Sequence, residues 1–286
     1  MQETSFIQRV RAGQLLVVGF KYTVLIILCL IMMGPVATAV LGSMRTTGEF
    51  LSKPFGLPTN GIHWEHYTDI LKSYSFWNSA KNSLLITAGV ASLNVILGSM
   101  LAFVFSRVSF WGRTILFNIL SVGLLFPTVV AILPIFIQVR KLELINSLWG
   151  VILPTVAFGL PTTVVILRAF FVAIPRELED ASYIDGCSPI GFFRYILMPM
   201  SRPALAAVIT LQIIAGWNEY FLSLVVLADS NKWPLTLGIM QFQGQYITDW
   251  SRVMAYVVIL IIPAVIFYLF TEKYIVTGLT GGELKG

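Results

Sequence analysis

The stretch Ser83-Leu-Leu-Ile-Thr-Ala-Gly-Val-Ala-Ser-Leu-Asn-Val-Ile-Leu-Gly-Ser-Met-Leu-Ala-Phe-Val-Phe105 carries no charged side chain. A helix rises 1.5 Å per residue, so about 20 such residues cross about 30 Å of hydrocarbon. The run shows no period-two alternation, and a helix satisfies its own backbone hydrogen bonds in lipid. Tyr22–Leu41, Thr114–Val139, Ser147–Leu167 and Val253–Phe270 are charge-free in the same way, and Ala204–Leu227 is interrupted by one acid, Glu219. The pattern predicts an all-α polytopic membrane protein with six transmembrane helices, over 22–41, 83–105, 114–139, 147–167, 204–227 and 253–270.

Composition agrees. Of 286 residues, 57% are hydrophobic and 12% charged, with a mean hydropathy of +0.82. Soluble domains carry about 45–50% apolar and about 25% charged residues, so a water-facing surface cannot be coated. A soluble enzyme and a disordered chain are excluded. The net charge is +5, but Lys and Arg are scattered singly or in pairs, which fits span flanks and not nucleic acid. Cys29 and Cys187 supply neither a disulfide framework nor a zinc site. Ala37-Thr38-Ala39 has the look of a signal cleavage site. The long approach through Arg9, Arg11 and Lys21, and an apolar run beyond the usual ~7–15 residues, favour a retained span.

Six spans put both termini on one side, and Arg107 and Arg113 bracket a short loop, which places that side in the cytoplasm. Segments 42–82 and 228–252 then lie outside, and the loop 168–202 lies inside. Pro35, Pro127, Pro134, Pro154, Pro161 and Pro263 fall in or beside spans, where each removes a backbone donor and permits a bend.

Catalytic chemistry has no visible machinery. His63-Trp64-Glu65-His66 lacks the spacing of a zincin and reads as loop packing, so no metal ligands are assigned. No GxxxxGK[ST] phosphate loop is present, so ATP is not bound by this chain. Glu219, alone in its span, has no paired carboxylate or adjacent base.

The inner loop is the most informative polar segment. Pro175 suits a first helical turn, and Glu177, Glu179 and Asp180 favour the helix N-terminus. Gly186 ends that helix, and Ser188-Pro189 starts another, with Ile190, Phe193 and Ile196-Leu197 on one face at helical spacing. A short amphipathic helix-turn-helix results, suited to docking a cytosolic partner or to anchoring on the membrane. The loop resembles the EAA loop of ABC importer permeases. Asp180-Ala181-Ser182 stands at the Glu-Ala-Ala triplet, Gly186 at the following glycine, and Ile196-Leu197-Met198-Pro199 at the closing Ile-x-Leu-Pro. Asp for Glu, Ser for Ala and Met for Leu keep charge or size.

Two further motifs extend the resemblance over nearly the whole chain. Trp217-Asn218-Glu219-Tyr220 is similar to the Trp-Asn-Glu-Phe of carbohydrate-importer permeases, and the tail Gly278–Gly286 is similar to their Gly-Leu-Thr-Ala-Gly-Ala-Val-Lys-Gly ending. Six spans with this tail resemble the G-type subunit of maltose permeases. The resemblance implies a type I ABC importer permease fold, one permease domain over 1–286, and a place in a bacterial cytoplasmic membrane. It implies a second permease subunit as heterodimer partner, two copies of a cytosolic ATPase that holds ATP and magnesium, and an external solute-binding protein; this chain holds no cofactor. Glu177, Asp180, Ala181, Ser182, Asp185, Gly186, Ile196 and Pro199 would couple to the ATPase. Gly278, Thr280, Gly282 and Lys285 would touch it through the tail, and Trp217, Asn218, Glu219 and Tyr220 would form a gate or substrate pathway. A sugar is the substrate so implied. An importer for glycerol phosphate or a polyamine, or a scaffold without transport, remain the alternatives.

Overall fold

The computed structural model describes residues 2–59, 61–244 and 248–280, with side chains placed over 17–59, 61–244 and 248–272. In chain order its helices of six or more residues are α1 (Gln2–Ser43), α2 (Thr47–Ser52), α3 (Glu65–Lys72), α4 (Tyr74–Arg107), α5 (Arg113–Val122), α6 (Ile132–Lys141), α7 (Leu148–Ala173) and α8 (Arg176–Ile184). Then follow α9 (Pro189–Met200), α10 (Arg202–Trp217), α11 (Phe221–Val226) and α12 (Trp250–Thr280). Among the described residues the β-structure is one isolated bridge, Gln243 with Thr248.

Four helical stretches, Val17–Ser43, Tyr74–Arg107, Leu148–Ala173 and Trp250–Glu272, are long and apolar enough to cross a membrane. They contain the predicted runs 22–41, 83–105 and 253–270, and all of 147–167 after its cap, Ser147. The other two runs are not single helices. Within 114–139 the chain leaves α5 through a 3-10 turn, Gly123–Leu125, and regains helix at Ile132. Pro127 explains the gap: it lacks an N–H and pushes Phe126 out of the helical region, to φ −92 and ψ 113. Within 204–227, helix stops at Trp217 and resumes at Phe221. The α9–α10 pair is bent by 81° at Ser201, where Pro203 in the first turn of α10 cannot extend the preceding helix.

The chain forms two compact units. The first comprises Met1–Ile70 and Phe242–Ile259. Its organiser is Arg45, 0% exposed, which donates to the carbonyls of Leu41 (3.0 Å), Lys53 (2.6 Å) and Pro54 (2.8 Å) and lies over the Phe50 ring. Thr47 donates to Asp249 at 3.0 Å, and Arg252 pairs with Asp69 at 3.0 Å. His63 stacks on His66 at 5.7 Å and contacts Glu65, so both rings serve the packing of this segment.

The second unit comprises Leu71–Gln241 and Leu260–Gly286. Here α4 packs along α7 and α10, and small residues set the closeness. A Cβ on Gly98 would fall 2.2 Å from Thr163 Cγ2, and one on Gly216 would fall 2.8 Å from the Thr87 Cα. Such small-residue crossings let helix backbones approach where no hydrophobic effect drives them together. One apolar cluster includes Ile86, Val90, Val151, Val156, Leu222 and Val226; the other includes Ala102, Phe105, Leu167, Phe171, Phe192 and Leu197. Between them along the helices lies a buried polar layer. Gln212 donates to Thr163 at 3.2 Å, and Asn94 stands beside it, with Gly159 leaving room for both amides.

Candidate functional site

Helix α8 is ended by local chemistry legible in its sequence. Gly186 adopts φ +82; its N–H bonds to the Tyr183 carbonyl (3.1 Å) and the Cys187 N–H to the Ser182 carbonyl (2.9 Å). This is a Schellman ending, which needs a left-handed residue that glycine supplies without a Cβ clash. Ser188 then accepts from the Gly191 N–H at 3.1 Å, and Pro189 occupies the first turn of α9. The helix-turn-helix is thus formed as its residues predict.

Its side chains divide into two sets. Glu177, Asp180, Ala181, Asp185 and Gly186 are exposed, together with Leu178, Tyr183 and Ile184, the last 86% exposed. Bare leucine and isoleucine side chains on an otherwise acidic surface helix are of the kind that a partner surface covers. Ser182 is buried and donates back to the Glu179 carbonyl at 2.7 Å, so it serves its own helix. Ile196 is half-buried against the apolar cluster, and Pro199 is exposed.

One part of the predicted face is corrected. Ile190 is 76% exposed, and Phe192, fully buried, takes its place. Phe192–Leu197 is a π-helical segment, so residues five apart share a face and Ile190 turns away from it.

The sequence reading missed what holds the loop. Arg107, the last residue of α4, pairs with Glu179 of α8 at 3.2 Å; the two side chains are 3% and 13% exposed. The same guanidinium donates to the carbonyls of Phe171 (2.5 Å) and Ile174 (2.7 Å), where α7 ends and its dipole favours a cation. In return Arg168 of α7 donates to the Phe105 carbonyl of α4 at 3.1 Å and lies 4.1 Å over the Phe117 ring. Tyr183 donates to Glu179 at 2.9 Å; burial and the carboxylate beside it push the phenol up to about 12, so it stays a donor at physiological pH. No periodicity or local motif links residues so far apart in sequence.

The Trp217–Tyr220 motif occupies a break, not a continuous span. Asn218 donates to the Ile214 carbonyl at 3.0 Å as α10 ends. The Glu219 carboxylate accepts the Leu222 N–H at 2.7 Å, capping α11, while its backbone carbonyl accepts from Thr236 at 2.6 Å. The acid expected about 22 Å along one helix is therefore a capping group between two. Tyr220 packs edge-on against Phe221. Trp217 and Asn218 line a cavity of about 360 Å³ with Leu84, Thr87 and Ala88 of α4 and Pro263 and Phe267 of α12. The structure brings these two to one cavity and leaves Glu219 and Tyr220 off its wall. That wall is mostly apolar, so it suits hydrocarbon better than a sugar's hydroxyls.

Of the tail residues, Gly282 and Lys285 lie outside the described residues, and Gly278 and Thr280 lie beyond the last described side chain.

Residues 94–275 match the family model described as "Binding-protein-dependent transport system inner membrane component". The diacetylchitobiose uptake system permease protein NgcG of Streptomyces coelicolor is 31% identical over 271 residues, covering 93% of this chain and 89% of that one. The trehalose/maltose transport system permease protein MalG of Thermococcus litoralis is 34% identical over 265 residues, covering 91% and 94%. In fold, the chain is similar to a chain in the crystal structure of a bacterial ABC transporter involved in import of the acidic polysaccharide alginate. The TM-score is 0.77 at 24% identity, over 90% of this chain and 96% of that one.

Proposed function

Since the chain belongs to the family of binding-protein-dependent transport system inner membrane components, we propose that it is the permease subunit of an ATP-driven importer that translocates a sugar or oligosaccharide. The observation that carries the coupling role is α8, a Schellman-ended acidic helix that leaves Leu178 and Ile184 exposed, braced from behind by Arg107. The sugar class is supported by the names of the two relatives, both sugar permeases, which match over nearly the full chain.

In this reading the chain pairs with a second permease in a bacterial cytoplasmic membrane, receives substrate from an external binding protein, and docks one of two ATPase copies. ATP and magnesium bind to the ATPase. Glu177, Asp180, Ala181, Asp185 and Gly186 meet its groove, Ser182, Ile196 and Pro199 shape the loop behind them, and the tail adds a second contact. Closure of the ATPase pair moves α8 and biases the spans between two states. Deleting the gene in its host is expected to abolish uptake of one or more labelled sugars from a mono- to oligosaccharide panel. Unchanged sugar uptake with lost glycerol phosphate or polyamine uptake would assign the other solute class.

The full complement of six crossings counts the broken 114–139 and 204–227 segments as spans, with both termini cytoplasmic. Single cysteines at Ser109 and Gly286 are expected to resist an impermeant thiol reagent on intact cells, and those at His63 and Asn231 to react. Labelling of Ser109 with protection of His63 would invert the topology.

Trp217, Asn218, Glu219 and Tyr220 act in this reading as a gate at the α10–α11 break. Glu219→Leu removes the α11 cap, worth about 1 kcal/mol, or about a fivefold shift in the gate equilibrium. Basal ATP hydrolysis by the reconstituted complex is expected to change accordingly, while Glu219→Gln, whose amide oxygen can still accept from Leu222, stays near wild type. Identical basal rates in wild type and Glu219→Leu would remove the gate role.

A further inference from the structure

We infer that Arg107 is the positioning residue that delivers movement of α8 to the spans α4 and α7; this rests on the importer reading above. The chain passes from α7 to α8 through only Ile174 and Pro175, both extended at ψ 128 and ψ 141. Pro175 fixes one φ, but no helical hydrogen-bond ladder crosses the link, so a push on α8 alone would be lost at this break. One guanidinium prevents that. It belongs to α4, binds the two carbonyls that end α7, pairs with Glu179 on α8, and lies 5.9 Å from the ring of Phe192 on α9.

Glu179 is the loop acid turned inward, whereas Glu177, Asp180 and Asp185 are exposed. Tyr183, one turn further along α8, holds its other carboxylate oxygen. The Phe171 and Ile174 carbonyls are both taken by one terminal nitrogen of the guanidinium, and the other terminal nitrogen goes to Glu179. The added buried ion pair fixes α8 to the same point, and removing one member of such a pair strands the other charge. Arg168, bonded from α7 to the Phe105 carbonyl, locks the two span ends together so that both receive the displacement. The fork of Arg107 suits this task better than a lysine's single ammonium, because it serves several acceptors in different directions.

The test uses the complete complex in proteoliposomes, with second permease, ATPase and binding protein, and measures sugar imported per ATP hydrolysed. For Arg107→Gln this ratio is expected to fall about tenfold, with binding-protein-stimulated hydrolysis within about threefold of wild type. Glu179→Gln should shift the ratio in the same direction, and the double variant should be no worse than the more severe single one. Arg107→Lys should recover part of the ratio. A purely structural role would reduce assembled complex but leave the ratio per complex unchanged, and that result overturns the inference. Should Arg107→Gln not assemble, Glu179→Gln decides: a wild-type ratio there overturns it equally. A wild-type complex without binding-protein-stimulated hydrolysis would instead sink the importer reading itself.

Discussion

Gly186→Arg is expected to lower sugar uptake about tenfold or more, a loss of about 1.4 kcal/mol or more in coupling, while membrane abundance stays near wild type. The glycine sits at φ +82 in the Schellman ending of α8, a conformation that penalises an L side chain by about 1–2 kcal/mol. Within this chain a Cβ there meets nothing within 4 Å. The chain itself therefore tolerates bulk at this point, and any larger effect of arginine comes from what α8 docks against. Gly186→Asn separates the two contributions, because asparagine visits the left-handed region readily and adds little volume. Its uptake should stay within about threefold of wild type. Both variants are compared by initial uptake rate and by binding-protein-stimulated ATP hydrolysis. Normal uptake with arginine would take the loop out of the coupling pathway.

Gly216→Leu is expected to have the largest effect on the fold. Here the nearest obstacle to a Cβ is the Thr87 Cα at 2.8 Å, a backbone atom of α4, followed by Val90 Cβ at 3.4 Å. A flexible side chain could swing aside; a helix backbone cannot. Leucine must push α10 away from α4 and disturb the polar layer of Asn94, Thr163 and Gln212, the last of these one turn earlier on α10. Overpacking of this kind costs about 1–3 kcal/mol, occasionally more. On the scale of domains of this size that lowers the apparent Tm by roughly 2–12 °C. Gly48→Ala, at an exposed α2 position where a Cβ meets nothing within 4 Å, should leave it within about 2 °C. Fluorescence-detected size exclusion after heating reads both; equal profiles would mean that the α4–α10 crossing is looser than its geometry.

Charge-free runs located the hydrophobic segments because lipid tolerates so few charges, and four of the six runs lie in single long helices. Hydropathy could not see that the other two are broken. In 114–139 the break follows from Pro127 acting on Phe126, a local signal that proline alone does not distinguish from a bend. In 204–227 it follows from Asn218 and Glu219 turning their side chains onto their own backbone, which competes with helix continuation. The loop was more legible, since Gly186, Ser188 and Pro189 act within a few residues of where they stand. Ile190 was misplaced because a helical period of 3.6 does not hold through a π turn. Arg107 with Glu179 was out of reach: in sequence they are two ordinary charges near span ends, and only the packing of α4 against α7 makes them a buried pair.

The central claim, that this chain is the permease of an ATP-driven sugar importer, is tested most directly in proteoliposomes. The complex is reconstituted with ATP on the ATPase side and a sugar-loaded binding protein on the other. Accumulation of labelled oligosaccharide against its gradient is expected, lost when either ATP or the binding protein is omitted. Equilibrating uptake that needs neither, or hydrolysis that never drives accumulation of any sugar offered, would contradict it.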